Sequence, residues 1–382
     1  MFRVTGECGA ARAAVLSTSR GSLPTPCMLL TARSGDLHSL TPDAVGRMAH
    51  PPGVMMDPMD FLDQPKPEGL LEYNKGIGTF LGLQNCCLIA IPRDPVAYAY
   101  GTKPNTKNSV YVMTHNGARM VTPEQYTNVI QAMKPDYYSS LPDESRITPE
   151  YWHHISLRCI SLHKDRGLEC SLFAPITGGM YRDQRSRSAM ESIKRDVAGF
   201  SLCGFATGET PEERPALLES ALQHLPPEKP RLAVGLGSPD DVLEAVDSGV
   251  DVFDSGFVHE VSAGGYALSF AHCLQSDAKI DPDSGADDLK INMWAQEHRD
   301  QRPPVEGCSC YCCKNHSRAY IHHLLQVHEM LAEILLHMHN VHHMGQFFDA
   351  IRSSIQEGKF ADLKSKFSER RRQAMACDRG NV

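Results

Sequence analysis

Short apolar runs bounded by Gly, Pro or acidic residues recur along the chain, at 27–32, 86–91, 137–141, 171–176, 200–205, 232–236, 250–253 and 266–270. Their length and lack of polar alternation predict strands buried on both faces. Between several of them lie amphipathic segments, 123–133, 183–195, 211–225 and 239–247, whose spacing of apolar positions predicts helices. The last begins Ser238-Pro239-Asp240-Asp241, with a capping hydroxyl, a proline in the first turn and two acids facing the positive end of the helix dipole. Strand and helix alternating about eight times predicts an α/β fold, a (β/α)8 TIM-like barrel; a doubly wound sheet would show the same periodicity.

The alternation lapses after residue 274. Residues 275–307 read as an acidic, proline-containing surface loop. A helical region follows, 308–367, with Ile321, Leu324, Leu325, Leu331, Ile334, Leu335 and Met338 forming an apolar stripe that His339 extends. Residues 368–382, including Arg370, Arg371 and Arg372, read as a charged, frayed tail. The expected organisation is therefore a barrel over 1–274, an acidic loop, an appended helical subdomain and a tail.

With 382 residues, 41% hydrophobic and 22% charged, the chain has the composition of a globular protein with a large core. No apolar run reaches the length needed to cross a bilayer. Arg3, Arg12 and Arg20 against Glu7 give the first twenty residues a faint likeness to a mitochondrial presequence, but import is not expected. A net charge of −8 argues against a chain that grips nucleic acid unaided, since phosphate binding draws on clustered Lys and Arg. Most of the thirteen cysteines are scattered singly, which fits a reducing compartment and not a disulfide framework.

The exceptions are the adjacent Cys86-Cys87 and the cluster Cys308-Ser309-Cys310-Tyr311-Cys312-Cys313, which is followed 26 residues later by His339. Thiolates and one imidazole make the tetrahedral N/S shell that Zn²⁺ favours, and no position is left open for water, so one structural zinc ion is expected. Cys308, Cys310 and Cys313 are the candidate sulfur ligands and Cys312 is the ambiguous member. His322, His323, His328, His337, His342 and His343 spread around the helix and read as packing or solvated residues.

Several blocks carry a family resemblance. They are Leu172-Phe173-Ala174-Pro175-Ile176-Thr177-Gly178-Gly179, Gly204-Phe205-Ala206-Thr207-Gly208-Glu209, Gly235-Leu236-Gly237-Ser238-Pro239-Asp240-Asp241, Gly249-Val250-Asp251-Val252-Phe253-Asp254, the cysteine knuckle, Arg318-Ala319-Tyr320-Ile321-His322-His323-Leu324 and His339-Asn340. In this order they resemble the tRNA-guanine transglycosylase family, and within it the non-catalytic subunits of the eukaryotic enzymes. The likeness runs from Thr25-Pro26 to the helix beyond His339, and its interval singles out His339 as the fourth zinc ligand.

The resemblance implies base exchange at a ribose C1′, guanine leaving the tRNA wobble position and a deazaguanine entering. Such chemistry needs a carboxylate nucleophile and a second carboxylate to move protons. The counterpart of the nucleophile is Asp254. Active members carry the second carboxylate in an Asp-Ser-Gly-Gly-(Phe/Tyr)-Gln segment; here the corresponding stretch reads Pro92-Arg93-Asp94-Pro95-Val96-Ala97-Tyr98. Asp94 between Arg93 and Pro95 reads as a turn residue paired to a cation. Active members also follow the nucleophile with basic residues, whereas this chain has no Lys or Arg between Arg231 and Lys279.

Asp254 is thus a vestigial position. The leading expectation is a non-catalytic subunit that pairs with a catalytic queuine tRNA-ribosyltransferase subunit as a heterodimer and contacts tRNA through that complex. The family resemblance places the assembly surface at the zinc subdomain; a homodimer is the other assembly it allows. The competing expectations are an active transglycosylase with Asp254 as nucleophile and a queuine-binding salvage module. A remnant base pocket is expected at the C-terminal rim of the barrel, near Gly178-Gly179 and Gly208-Glu209. The resemblance further implies cytoplasmic residence, with any contact to the mitochondrial outer membrane peripheral.

Overall fold

The computed structural model describes residues 1–46, 53–96, 105–114, 116–143, 152–271, 283 and 288–379. It divides into two compact units, one made of Met1–Thr5, Ala10–Leu37 and Thr41–Ser255, the other of Gly6–Gly9, His38–Leu40 and Gly256–Val382.

Three strands open the chain, β1 (Phe2–Cys8), β2 (Ala11–Thr18) and β3 (Gly21–Thr25). Next come β4 (Cys27–Met28), β5 (Leu30–Ala32), α1 (Pro42–Gly46), β6 (Gly53–Met56), α2 (Pro67–Tyr73), α3 (Gly76–Phe80) and β7 (Cys87–Ala90). A hairpin, β8 (Val110–Thr114) and β9 (Gly117–Val121), leads into α4 (Pro123–Met133), β10 (Tyr137–Ser139), α5 (Trp152–Asp165), β11 (Ser171–Ile176) and α6 (Arg182–Ser192). The unit finishes with β12 (Gly199–Leu202), α7 (Arg214–Leu222), β13 (Arg231–Ala233), α8 (Pro239–Asp247) and β14 (Val252–Phe253).

Nine of these segments form one parallel sheet in the order β4-β14-β13-β12-β11-β10-β7-β6-β5. β4 and β5 are two halves of one strand, separated by Leu29. Cys27 in β4 stands opposite Val252, Leu30 in β5 stands opposite Val54, and the Leu29 amide donates to the Phe253 carbonyl at 2.7 Å. The sheet therefore closes on itself as an eight-stranded barrel, the expected fold. Its interior is filled by side chains such as Leu29, Met55, Ile89, Phe173, Leu232 and Val252, all buried. Strands and helices begin where the sequence signals place them: Thr122 and Gln125 form a reciprocal capping box on α4, and the Ser238 hydroxyl accepts from the Asp241 amide at the start of α8. At the N-terminal end of the barrel Arg12 makes a bidentate bond to Asp251, Nε to Oδ1 at 2.9 Å and Nη2 to Oδ2 at 2.7 Å, with both side chains buried.

Seven of the eight expected strands lie in the barrel. The eighth, at 266–270, does not; the barrel strand in its stead is β6, a four-residue run between prolines. In the second unit β15 (Tyr266–Leu268) pairs antiparallel with β16 (Lys290–Asn292), Ala267 opposite Ile291. Residues 275–282 and 284–287 of the expected acidic loop lie outside the described residues, but its later part contains β16.

The second unit otherwise consists of α9 (Gly256–Ala263), α10 (Tyr311–Asn315), α11 (Arg318–Gln326), α12 (Met330–Gln356) and α13 (Phe360–Arg379). The expected stripe is broken between α11 and α12, where His328 takes a left-handed φ of 56°: Ile321, Leu324, Leu325 and Leu335 are buried but Leu331 is exposed. The expected tail is also more ordered than its charge implies. α13 runs to Arg379, with Phe367 and Ala374 buried and Arg370 bonded to Asp288.

Candidate functional site

The cysteine knuckle begins where Gly307, at φ 75°, turns the chain and the Cys308 amide donates to the Val305 carbonyl. Cys310 caps α10, its Sγ accepting from the Cys313 amide at 3.3 Å. That cap sets Cys310 and Cys313 three residues apart on one side of the turn, while Cys308 arrives from the preceding loop. His339 comes from the middle of α12 and is fully buried. Its Nδ1 lies 3.6, 3.5 and 3.4 Å from the Sγ atoms of Cys308, Cys310 and Cys313. All four donor atoms lie within 4.8 Å of one another, and among the described residues this is the only such group.

The donor set can be tested against a metal by geometry. Zn–S bonds of about 2.3 Å and Zn–N bonds of about 2.0–2.1 Å, at tetrahedral angles, give S···N edges of about 3.6 Å. The observed edges match that spacing. The imidazole is also turned the right way: its Nε2 donates to the Leu268 carbonyl at 2.8 Å, which leaves the Nδ1 lone pair facing the sulfurs. Burial disfavours charge on His339, yet the Cys308 and Cys310 sulfurs lift its pKa to about 9. Cys310 and Cys313 push the Cys308 thiol down, while Cys308 and Cys310 push Cys313 up. Four crowded groups competing for protons are a set that one divalent cation would relieve.

Cys312 stands apart from this group. Its side chain is buried in the apolar cluster with Ile321, Leu324 and Leu335, and desolvation raises its thiol. The neighbouring histidines pack, as expected: His322 Nε2 accepts from Arg299 Nε at 2.9 Å, and His343 donates to the Phe270 carbonyl at 3.0 Å. Two tyrosines are exposed around the knuckle. Tyr311 is 56% exposed and Tyr320 39%, with the His316 ring stacked on Tyr320 at 5.3 Å. Val327, Met330 and Leu331 are exposed on the adjoining turn.

The second candidate region is the C-terminal mouth of the barrel. Asp254 follows β14, is 2% exposed, and its Oδ2 accepts from the Gly235 amide at 2.6 Å. Asp94 pairs with Arg33 Nε at 2.6 Å and accepts from the Val96 amide at 2.9 Å, so it is a turn carboxylate engaged with a cation. The preceding residue, Arg93, behaves differently. It leaves the end of β7, crosses the mouth and donates from Nη2 to the Phe205 carbonyl beyond β12. Gly235, beyond β13, gives it room: a Cβ there would sit 3.2 Å from Arg93 Nη2 and 2.8 Å from the Phe205 carbonyl. Arg93 is 4% exposed.

Arg185 on α6 completes the arrangement. Its Nε donates to the Gly179 carbonyl at 2.8 Å, Nη1 to Cys203 at 3.0 Å and Nη2 to Gly204 at 2.9 Å, with the guanidinium over the Phe205 ring. Gly178, at φ 145°, admits this contact, since a Cβ would fall 2.6 Å from the Arg185 amide nitrogen. Among the described residues, the part of the rim beside Gly178-Gly179 is thus occupied by the Arg185 side chain. Between Ile91, Arg93, Ser139, Ser201, Cys203 and Val234 the remaining space is about 10 Å³, room for one water. Neither arginine stood out in the sequence: Arg93 follows an apolar run and Arg185 lies within a polar helix, and in both settings a charged residue reads as pointing outward.

Residues 7–373 match the family described as "Queuine tRNA-ribosyltransferase". A Xenopus tropicalis protein named queuine tRNA-ribosyltransferase accessory subunit 2 is 34% identical, with 90% of this chain and 92% of the relative aligned. Proteins of the same name from Gallus gallus (90% of each chain) and Homo sapiens (91% of this chain, 93% of the relative) are each 32% identical. With the closed barrel and the Cys₃His group in place over nearly its whole length, this chain belongs to the queuine tRNA-ribosyltransferase family.

Proposed function

We propose that this chain is the non-catalytic member of a two-subunit queuine tRNA-ribosyltransferase, supporting its partner in exchanging guanine for queuine at the wobble position of tRNAs with GUN anticodons. The observation that carries the reading is the state of the two carboxylate positions, Asp254 buried on a backbone amide and Asp94 engaged by Arg33. A nucleophile must approach a ribose C1′ to within bonding reach. Asp254 is instead buried against a backbone amide, and Asp94, the nearest carboxylate in sequence to the lost second one, is engaged with Arg33. The names borne by its relatives favour the same reading.

One structural zinc ion held by Cys308, Cys310, Cys313 and His339 belongs to this proposal, and so does the partner surface. The ion would order the knuckle that presents Tyr311, His316 and Tyr320, and exposed aromatics of this kind are what protein interfaces bury. The catalytic subunit docks there and tRNA is held by the complex. No disulfide joins the described cysteines, which fits the cytoplasm, and contact with the mitochondrial outer membrane would be peripheral; among the described residues no helix is long and apolar enough to cross a membrane.

The test is base exchange with labelled guanine. The purified chain alone should show no turnover, activity should appear on adding a catalytic subunit, and it should survive Asp254→Ala in this chain. Turnover by the chain alone that Asp254→Ala abolishes would overturn the proposal in favour of an active transglycosylase. Tight binding of queuine with no effect on the partner would favour a salvage module. Tyr320→Glu should weaken association with the catalytic subunit at least tenfold, about 1.4 kcal/mol, in a sedimentation or mass-photometry titration.

A further inference from the structure

The four donors of the Cys₃His group do not meet solvent equally. His339 is fully buried, and Cys310 and Cys313 are only 5% and 8% exposed. Cys308 alone of the four is partly open, since it arrives from the loop that Gly307 turns and not from a helix. Its Sγ nevertheless lies within 4.8 Å of the other two sulfurs. Cys8 and Cys170 are the other partly exposed cysteines among those described, and neither belongs to such a group of converging donors. An oxidant reaching this group therefore meets Cys308 first, and a sulfur oxidised there has further thiols at hand to resolve it.

The chain decides which thiol does so. Only Ser309 separates Cys308 from Cys310, and a disulfide over one intervening residue closes a small, strained ring. Cys310 is also held as the cap of α10 by the Cys313 amide. Cys313 is five residues from Cys308, and its sulfur carries no such duty. Cys312, fully buried in the apolar cluster, stands outside the exchange.

We propose that Cys308 is a site of modification by peroxide, that Cys313 resolves it, and that the disulfide so formed switches off the assembly surface of the knuckle. In a metal-loaded group both sulfurs are already thiolates. The Cys308 thiolate attacks one oxygen of hydrogen peroxide; the S–O bond forms, the O–O bond breaks and hydroxide leaves. The Cys313 thiolate then attacks the Cys308 sulfenic acid at sulfur; the S–S bond forms, the S–O bond breaks and a second hydroxide leaves. Two thiolates lose two electrons, and one peroxide, with two protons from solvent, becomes two waters. The bridge removes two of four donors, and Cys310 with His339 cannot complete a tetrahedron, so a bound ion is released. Tyr311 lies inside the bridged loop, so the same bond displaces its exposed ring. This last consequence rests on the reading of the knuckle as the partner surface.

The experiment treats the full-length protein with one equivalent of hydrogen peroxide, with and without dimedone as a sulfenic-acid trap. Peptide mass spectrometry locates label and bridge, and a chromogenic chelator reads released zinc. Dimedone should label Cys308. Without it the product should carry a disulfide from Cys308 to Cys313, with zinc release at least about tenfold above the untreated protein. The oxidised chain should bind the catalytic subunit at least about tenfold more weakly, and a dithiol should restore binding. Cys312→Ala, outside the donor group, should behave as the wild type.

A knuckle that peroxide leaves untouched, a first label on Cys310, Cys312 or Cys313, a bridge that omits Cys308 or Cys313, zinc retained after the bridge forms, or partner affinity unchanged by it would each overturn the proposal. The two readings fail separately. Turnover by the wild-type chain alone defeats the accessory role and leaves the map of label and bridge standing, while an unreactive Cys308 in a silent chain defeats only the switch.

Discussion

Cys310→Ser is the perturbation that isolates the metal from the fold around it. Serine is close to cysteine in size and is itself a good helix N-cap, so the bond from the Cys313 amide that starts α10 can be kept. What is lost is one sulfur of the four donors, 3.5 Å from His339 Nδ1. Structural zinc in small domains binds with an apparent free energy of about 10–16 kcal/mol, and because the unfolded chain has no such site, binding adds to folding stability. At free zinc about a thousandfold above the dissociation constant the ion contributes roughly 4 kcal/mol. A loss of that size in a unit of this length lowers its unfolding midpoint by roughly 10–20 °C. Calorimetry should therefore show the transition of the second unit moving down while that of the barrel stays, and elemental mass spectrometry should show zinc falling from one per chain to none. Cys312→Ala is the contrast: it trims a buried thiol outside the group and should cost about 1 kcal/mol with metal content intact. Wild-type metal content and midpoint in Cys310→Ser, or loss of metal in Cys312→Ala, would refute the ligand assignment.

Two further outcomes test the frame of each unit. Asn340→Ala should destabilise the second unit by about 2–4 kcal/mol in denaturant titrations, because Asn340 accepts from the Leu268 amide at 2.8 Å, donates to Ser262 Oγ and the Tyr266 carbonyl at 3.0 Å each, and would leave these buried groups unpaired. Arg12→Ala should cost the barrel about 3–5 kcal/mol by stranding the buried Asp251 carboxylate. Adding Asp251→Leu to that variant should recover part of the loss, and an additive loss would show that the pair is not coupled.

Much of the barrel was legible because its strands are buried on both faces and so appear as unbroken apolar runs between turn residues. β6 was not, since Gly53–Met56 is only four residues long and prolines on both sides mask it. The run at 266–270 has the same look as a barrel strand, and only its antiparallel partner, hidden within an acidic stretch, sends it elsewhere. The Cys₃His group could be read as a candidate metal site because thiolates crowded in one loop have few other uses. Leu331 was misplaced by assuming one continuous helix, where the left-handed His328 resets the phase. The course of Arg93 to the Phe205 carbonyl was beyond reach for a different reason. It depends on the direction of one long side chain across a closed ring, which no local pattern encodes.

His339 and Asn340 are neighbours in α12, and both address Leu268, one bonding its carbonyl and the other its amide. A strand slipped by a single residue would offer both side chains the wrong backbone face. The imidazole that loses its carbonyl also loses the contact that turns Nδ1 toward the sulfurs. The Cys₃His group is thus geared to the register of the β15–β16 ribbon: its four donors converge only when the strand is threaded in its one correct alignment.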